Sequence, residues 1–258
     1  METTEGKLSL LRREQIYQVI QKQSMAKVED LAKLTGMTTM TIRRDLEYLE
    51  KRGLVERVRG GAVLINRNLL APAYSQKNML HRTEKNAIAA RAADYIEDND
   101  TIFINGGSTT LRLFGSISAR HVKIVSNNAF FPFEHIHPGV SVISTGGQFN
   151  AESYTFVGDF GTQSVAGVWA DKAFIGLDGI DAKRGLTTNI QSEGQINRLM
   201  IAHTKGDITV LADSSKIGNV ANFLFSPLSS IKRLITDQGI STQHQRGLEE
   251  CGIEVIVV

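Results

Sequence analysis

The hydrophobic positions of residues 1–66 recur at the spacing of α-helices. An apolar stripe that includes Ile16 and Ile20 predicts a first helix over residues 8–23. A second, shorter helix is predicted over 28–34, and Gly36 supplies the turn that ends it. Short helices joined by such a turn indicate a helix-turn-helix module.

The third helix of this module begins after Thr38, whose hydroxyl is suited to cap it. Its hydrophobic residues Ile42, Leu46 and Leu49 recur at steps of four and three, so one face is predicted to be buried. The opposite face begins with hydroxyls and arginines, which can read base edges in the major groove of DNA. The candidate DNA-contacting residues on this helix are Thr38, Thr39, Met40, Thr41, Arg43 and Arg44.

The two arginines have a simpler alternative interpretation. Charged residues on a helix face usually form solvated ion pairs, and Arg43 and Arg44 have Asp45 and Glu47 beside them. The pattern of the third helix alone leaves both interpretations open.

A wing is predicted after the third helix. Apolar and basic residues alternate over 54–59 before a Gly-Gly turn. Two short strands in this position would place Arg57 and Arg59 against DNA phosphates.

From about residue 98 the pattern changes to short β-rich runs separated by stretches long enough for helices. The runs cover residues 101–104, 122–125, 140–143, 173–175, 208–211 and 253–258. This alternation predicts an α/β fold with a mostly parallel sheet. A helix is also predicted over 84–97, with Thr83 as its N-cap. We therefore expect a winged helix-turn-helix over 1–66, a linker over 67–83 and a larger α/β domain over 84–258.

Candidate ligand-binding residues follow the predicted strands, because ligands of open parallel sheets bind beyond the carboxyl ends of the strands. The loop NGGSTT offers glycines and hydroxyls, which suit a phosphate. The other loops add amides, carboxylates and a lysine, as a sugar phosphate requires. The candidates are Asn105, Gly106, Gly107, Ser108, Thr109, Thr110, Asn127, Asn128, Gly146, Gly147, Asp178, Asp181 and Lys216.

Each of these candidates also has a purely structural alternative. The glycine loop can be a tight turn between a strand and a helix with no ligand. Asp178 and Asp181 can cap turns, and Lys216 can be solvated.

Composition and charge exclude several classes of protein. The chain is 41% hydrophobic and 22% charged, as in globular proteins, and no apolar run approaches the roughly 18 residues that a membrane span needs. Cys251 is the only cysteine, so we expect no internal disulfide, no CxxC or Cys/His zinc site, and a cytoplasmic location. We also expect no metal site and no cofactor. Residues 1–66 hold twelve Lys and Arg against nine Asp and Glu, whereas the rest hold 17 against 18. The basic excess therefore lies where DNA binding is predicted.

The stretch VEDLAKLTGMTTMTIRRDLEYLEKRGLVERVRGGA resembles the DNA-binding domain of the DeoR family of bacterial repressors. The signature of that family joins a TIRRDL recognition helix to a wing that ends in GGA. The resemblance covers about the first 63 residues and differs at Thr38, where the family usually has Ser. Both hydroxyls cap helices, so the same fold is implied. Thr39 and Met40 occupy variable positions, so base preference is expected to differ.

Residues 84–258 resemble the sensor domains of the same family. Those domains are similar to ribose 5-phosphate isomerase and CoA-transferase folds, and they bind phosphorylated sugars or related metabolites. Through the motifs GLDGID, GLTT and DSSKIG, the resemblance implies effector-binding roles for Asp178, Asp181, Glu193 and Lys216, together with the loop around Gly107.

One departure from the family pattern lies in that loop. The family typically has Asp before an xGTTT loop, whereas this chain has Asn105 and Ser108 in NGGSTT. Loss of a carboxylate beside a bound phosphate favours an unusual, more anionic effector.

These expectations combine into a transcriptional regulator. We expect a repressor of a sugar or carbohydrate-derivative catabolic operon, which a phosphorylated metabolite releases from double-stranded operator DNA. Because such DNA sites carry repeated half-sites, a homodimer or homotetramer is expected.

Two alternatives remain. In an isomerase-like enzyme, Glu193 would act as general base and Lys216 would steady an enediolate. An isomerase does not need the N-terminal module, so we expect a protein that is not an enzyme and has no catalytic residues. A dinucleotide sensor is disfavoured, because no G-x-G-x-x-G follows a predicted strand.

Overall fold

The computed structural model of the chain describes residues 12–20, 25–51, 55–58, 60–64, 77–78, 80–132 and 136–258. The chain divides into two compact units, residues 1–69 and 70–258. Most of the predicted linker, 67–83, lies outside the described residues. Within the part of the chain that the structure describes, no helix is both long and apolar enough to span a membrane.

The described residues of the first unit form three helices and a small antiparallel sheet. The elements are α1 (12–20), β1 (Met25–Lys27), α2 (Val28–Thr35), α3 (Thr39–Lys51), β2 (Val55–Val58) and β3 (Gly61–Leu64). The strands lie in the order β1-β3-β2. The wing is therefore three-stranded, one strand more than predicted, because β1 pairs with β3 at the three positions from Met25 to Lys27.

The core of the first unit contains the hydrophobic residues that the helical spacing predicted. Ile16, Ile20, Ile42 and Leu46 are fully buried. Helix α2 ends where Gly36 adopts the left-handed conformation, with φ of 68°. Glycine takes up this conformation without steric cost, so α3 can start after a short turn.

The second unit is built on a seven-stranded sheet in which every neighbouring pair is parallel. Its order is β15-β14-β12-β9-β4-β5-β6. The strands are β4 (Thr101–Ile104), β5 (Lys123–Ser126), β6 (Ser141–Ser144), β9 (Lys172–Ile175), β12 (Ile208–Leu211), β14 (Arg233–Thr236) and β15 (Glu254–Val257). Six of them match predicted runs to within a residue or two, and β14 was not predicted.

Helices cover both faces of this sheet. They are α4 (Arg82–Ala93), α5 (Thr110–Leu113), α6 (Asp159–Ala166), α7 (Gln191–Ala202) and α8 (Thr242–Glu249). Alternate strand residues face opposite cores: Ile102 and Ile104 pack in the cluster that contains Ile88 of α4, and Phe103 packs with Ile196 of α7. This is the architecture of parallel α/β proteins.

Two smaller antiparallel sheets also lie in the described part of the second unit. Strands β7 (Gln148–Asn150) and β8 (Thr155–Val157) form a hairpin. Strands β10 (Gly179–Asp181), β11 (Gly185–Thr188) and β13 (Phe223–Ser226) form a separate three-stranded sheet.

Helix α4 differs from the prediction at both ends. It spans Arg82–Ala93, whereas 84–97 was expected, so Thr83 lies inside the helix and His81 takes the N-cap position without a side-chain capping bond. The physical reason for the early start is Lys85. Its ammonium donates to the carbonyls of Lys77 and Leu80, which holds the preceding chain against the first turn.

Candidate functional site

Thr38 stands at the start of the exposed face of α3. Its hydroxyl accepts a hydrogen bond from the backbone N–H of Thr41 at 3.3 Å and lies 3.0 Å from the Thr41 hydroxyl. This is the geometry of a helix N-cap. The cap fixes the first turn, from which Thr39 and Met40 project into solvent.

The arginines of α3 face solvent and its aspartate faces the protein. Arg43 and Arg44 are exposed, whereas Asp45 is buried and accepts hydrogen bonds from Arg12 at 2.6 Å and Arg13 at 2.8 Å. Asp45 is thus occupied by α1. Among the residues that the structure describes, no carboxylate pairs with Arg43 or Arg44.

The structure describes one of the two arginines that were predicted for the wing. Arg57 on β2 is exposed, and its backbone N–H donates to the carboxylate of Glu50 at 3.3 Å. Arg59 lies outside the described residues. The exposed surface made by the first turns of α3 and by Arg57 is the candidate DNA-binding face.

A pocket lies in the second unit where β4, β9 and β12 end. Eight of the fourteen predicted ligand-binding residues line it: Asn105, Gly106, Gly107, Ser108, Thr109, Asp178, Glu193 and Lys216. The structure therefore brings together the loop after β4, the residues after β9, the start of α7 and the residues after β12.

Hydrogen bonds hold the loop after β4 in place. The Gly106 N–H donates to Asn127 Oδ1 at 2.8 Å, and the Thr110 hydroxyl donates to the Asn105 carbonyl at 2.8 Å. A Cβ on Gly106 would stand 2.1 Å from Thr155 Cγ2, so only glycine fits there. Because its N–H is already bonded, Gly106 contributes shape to the pocket and not a free donor.

Two carboxylates face the pocket across one hydroxyl. Thr188 Oγ1 lies 3.2 Å from Asp178 Oδ2 and 3.4 Å from Glu193 Oε2, and it has a single proton to share. Glu193 also accepts a hydrogen bond from the Thr155 hydroxyl at 2.9 Å.

The two carboxylates differ in acidity. Burial raises the pKa of Glu193, and the charge of Asp178 raises it further. Burial would also raise the pKa of Asp178, but the charge of Lys77, the Asn189 N–H and the charge of Lys216 outweigh it and lower that pKa. Asp178 is the ionised member of the pair, and Glu193 is the member that holds a proton more readily.

Lysines surround these carboxylates. Lys77 Nζ lies 3.0 Å from Asp178 Oδ1, and Lys216 lines the same pocket. Lys85 is 3% exposed, and its ammonium lies 3.9 Å from the buried carboxylate of Asp213. Burial lowers the pKa of Lys85 to about 8, although the charge of Asp213 opposes the shift. The pocket thus combines cations and carboxylates within a single cavity.

Six predicted residues do not line this pocket. Asn127 and Thr110 support the loop after β4, and Asp181 accepts the N–H groups of Lys183 and Arg184 in the turn between β10 and β11. The remaining three, Asn128, Gly146 and Gly147, also lie outside the pocket lining. A Cβ on Gly147 would meet the Val157 carbonyl at 2.6 Å.

Sequence reasoning missed several pocket residues. Lys77, His81, Lys85, Ser153, Thr188, Asn197 and Asp213 are polar or charged residues of this kind. One signal was available for Lys85: it stands at helical spacing with Ile88, Ala89 and Ala92, which are buried. A lysine in register with an apolar stripe indicates a buried cation.

Comparisons with known proteins match both units. Residues 12–68 match the DeoR-like helix-turn-helix domain, and residues 80–238 match the DeoR C terminal sensor domain. An uncharacterized HTH-type transcriptional regulator from Haemophilus influenzae is 33% identical, with 96% of each chain covered. A putative aga operon transcriptional repressor from Escherichia coli O157:H7 is 32% identical, covering 96% of this chain and 93% of that protein.

Among solved structures, ribose 5-phosphate isomerase from Plasmodium falciparum matches 51% of each chain at 17% identity, with a TM-score of 0.36. The two domain matches together with full-length relatives decide the assignment. This chain is a transcriptional regulator and belongs to the DeoR family.

Proposed function

We propose that this regulator represses a carbohydrate operon and that a phosphorylated sugar or sugar derivative, bound in the pocket, releases it from DNA. The observation that carries the proposal is the mixed charge of the pocket. Lys77 and Lys216 can meet a phosphate, while Asp178 and Glu193 can accept hydrogen bonds from sugar hydroxyls. The names of relatives, such as the putative aga operon repressor, also support it.

On the DNA side, we propose that the first turns of α3 enter the major groove. Thr38, Thr39, Met40, Thr41, Arg43 and Arg44 would face the bases, and Arg57 and Arg59 would meet phosphates. The inward orientation of Asp45 supports this arrangement, because it removes this carboxylate from the exposed side of α3 that carries Arg43 and Arg44.

Repeated half-sites in operators lead us to propose a homodimer or homotetramer in the cytoplasm. Light scattering of the purified protein at micromolar concentration should give a mass of at least two chains. The mass of a single chain in solution, together with one bound chain per operator, would contradict this part of the proposal.

The proposed function is tested by selecting bound fragments from sheared genomic DNA at near-physiological salt. Fluorescence anisotropy on the enriched site is then measured with and without a panel of pentose and hexose phosphates. We expect one site to be enriched and one panel member to release it. Enrichment of no sequence would leave only non-specific, salt-sensitive binding and would contradict the proposal.

A pair of lysine variants separates the pocket from the DNA-binding face. Lys216→Ala should keep operator affinity and blunt release by the active sugar phosphate. Lys232→Ala, an exposed lysine outside the pocket, is the matched control and should respond like the wild type. An unaltered response in Lys216→Ala would show that the effector binds elsewhere.

The isomerase-like alternative rests on one observation, the raised pKa of Glu193, which suits a general base. The same panel of sugar phosphates tests it by direct assay of aldose–ketose conversion. We expect no turnover, whereas conversion that Glu193→Gln abolishes would support an enzyme.

A further inference from the structure

Four described residues lie immediately before α4 in the chain: Lys77, Asn78, Leu80 and His81. We call them the strap. Lys77, Leu80 and His81 line the pocket. In the chain, the strap is the first described part of the second unit after the residues that lead from the DNA-binding unit. The strap therefore lies close in sequence to the division between the two units at residues 69 and 70.

The strap is tied to the body of the second unit by two buried or half-buried cations. Arg112 of α5 donates to the side-chain oxygen of Asn78 at 2.7 Å and to its backbone carbonyl at 2.8 Å. Lys85 of α4 donates to the carbonyls of Lys77 and Leu80. Charge-assisted bonds of this kind are stronger than neutral ones, so the strap has a defined position over the pocket.

A third tie differs from these two because it lies within the pocket. Lys77 Nζ bonds Asp178 Oδ1 at 3.0 Å, and the Lys77 side chain is 50% exposed. Asp178 is fixed from the other side by the N–H of Asn189 at 2.9 Å. Asp178 is therefore anchored to the body of the second unit. Its ion pair with Lys77 links the strap to that body.

An anion that enters the pocket acts on the two partners in opposite directions. It attracts Lys77 and is repelled by Asp178, so it competes directly with the carboxylate for the ammonium. His81, at the far end of the strap, has a φ of 53°, a left-handed conformation that non-glycine residues adopt only at a cost. His81 is thus a strained residue where the strap joins α4.

We propose that the strap transmits pocket occupancy to the DNA-binding unit: an anionic effector takes Lys77 from Asp178, and the strap shifts where it joins the preceding chain. The inference rests on the proposed function and adds its mechanism of regulation. The pair Lys77–Asp178 favours the state that binds operator DNA, and loss of the pair favours the released state. Differential binding to two such states is what allosteric release requires.

The test needs no effector. Lys77→Met and Asp178→Asn each remove the ion pair, and operator affinity is measured by anisotropy on the selected DNA site in the absence of any sugar phosphate. Lys205→Met is the matched control, because Lys205 is 59% exposed and pairs with Asp171 at 3.3 Å outside the pocket. Lys77 and Lys205 lose the same charge, so a difference between them reports position and not net charge.

We expect both pair-breaking variants to bind the operator at least about five-fold more weakly than the wild type, at the lower end of usual coupling. Lys205→Met should stay within two-fold of the wild type. Wild-type affinity, or tighter binding, in both Lys77→Met and Asp178→Asn would overturn the inference. Failure of the proposed function is distinct, since the wild type itself would then select no DNA site.

Discussion

Asn105 and Gly176 are joined by two hydrogen bonds that run in opposite directions. The Asn105 amide donates to the Gly176 carbonyl at 2.8 Å, and its oxygen accepts the Gly176 N–H at 2.7 Å. The same amide donates to Asn197 Oδ1 at 2.9 Å. Asn105 thereby joins the ends of β4 and β9 beneath the pocket, and each of its polar atoms is bonded to the protein.

Asn105→Asp should therefore destabilise the second unit. A carboxylate has no N–H for the Gly176 carbonyl, and residue 105 is only 1% exposed, so water cannot replace the lost donor. We expect a loss of about 1 to 3 kcal/mol in the free energy of unfolding at neutral pH, the usual cost of a buried unpaired group. Urea unfolding followed by Trp169, the only tryptophan, measures it.

The cost of Asn105→Asp should shrink in acid, because a protonated aspartate can donate again. Asn86→Asp, an exposed position on α4, is the control and should change stability little. Equal stability of Asn105→Asp and wild type at neutral pH would show that the Gly176 contact contributes nothing.

Lys85 should make stability rise with pH in the alkaline range. Its pKa is about 8 in the folded chain, against an ordinary value of 10.5, because of burial. Between these values the unfolded chain binds more protons than the folded one, so the free energy of unfolding increases by up to about 3 kcal/mol as pH rises. Lys85→Met should lack this increase.

The comparison of Lys85→Met with wild type by urea unfolding from pH 7 to 10.5 isolates this group, because the other lysines and tyrosines are common to both chains. Lys232→Met, exposed on the same unit, should keep the wild-type slope. Parallel pH profiles for wild type and Lys85→Met would rule out a depressed lysine pKa.

Glu193→Gln should stabilise the protein at neutral pH. The pKa of Glu193 in the folded chain lies above its ordinary value, mainly because of burial. The ionised form of Glu193 therefore destabilises the folded chain at pH 7. Glutamine removes the charge beside Asp178 and can donate to the Thr188 hydroxyl. We expect a gain of about 0.5 to 2 kcal/mol, as is usual when a functional site is relieved of strain.

The stability gain of Glu193→Gln should depend on pH in one direction. As pH falls through the raised pKa of Glu193 toward its unfolded value, wild type takes up a proton first in the folded state, so the advantage of Glu193→Gln should disappear in acid. Glu152→Gln is the control, because Glu152 is exposed and shortly precedes β8 in the chain. The stability difference between Glu152→Gln and wild type should not change with pH. A stability difference that is constant with pH would contradict the raised pKa.

Arg43→Ala should weaken specific DNA binding by about 1 to 3 kcal/mol and relax base preference at one position of the site. The reason is that Arg43 is exposed on α3 and its neighbour Asp45 is bonded to α1. Anisotropy with operator variants measures both effects. Arg246→Ala, exposed on α8 of the second unit, has the same charge change and should bind like wild type.

The part of the candidate site that the sequence predicted follows from a general property of parallel sheets. Strands β4, β9 and β12 are neighbours, so the residues after each of them meet at one edge. Asp178 and Lys216 could be assigned to that edge from strand positions alone. Asp181 could not be separated from them, because only the hairpin of β10 and β11 turns it away.

The residues that the sequence did not reveal come from outside the strand ends. Lys77 and Lys85 precede the first strand of the sheet, and they reach the pocket because α4 packs against β12 and β14. Strand β14 itself was missed because Arg233 interrupts its apolar pattern. In the fold, that charge is paired with Glu254 at 2.9 Å and lies over the ring of Tyr95 at 4.0 Å. Partners so distant in sequence are not evident from local spacing.

The pocket is assembled from segments that the ribosome makes far apart in time. Residues 77–85 are made early, whereas Asp213, Ser215 and Lys216 come from the last quarter of the chain. Because folding of a nascent chain proceeds from the N-terminal domain, the DNA-binding unit can be complete while the pocket of the second unit still lacks one side. During synthesis, then, a folded DNA-binding unit precedes a complete pocket.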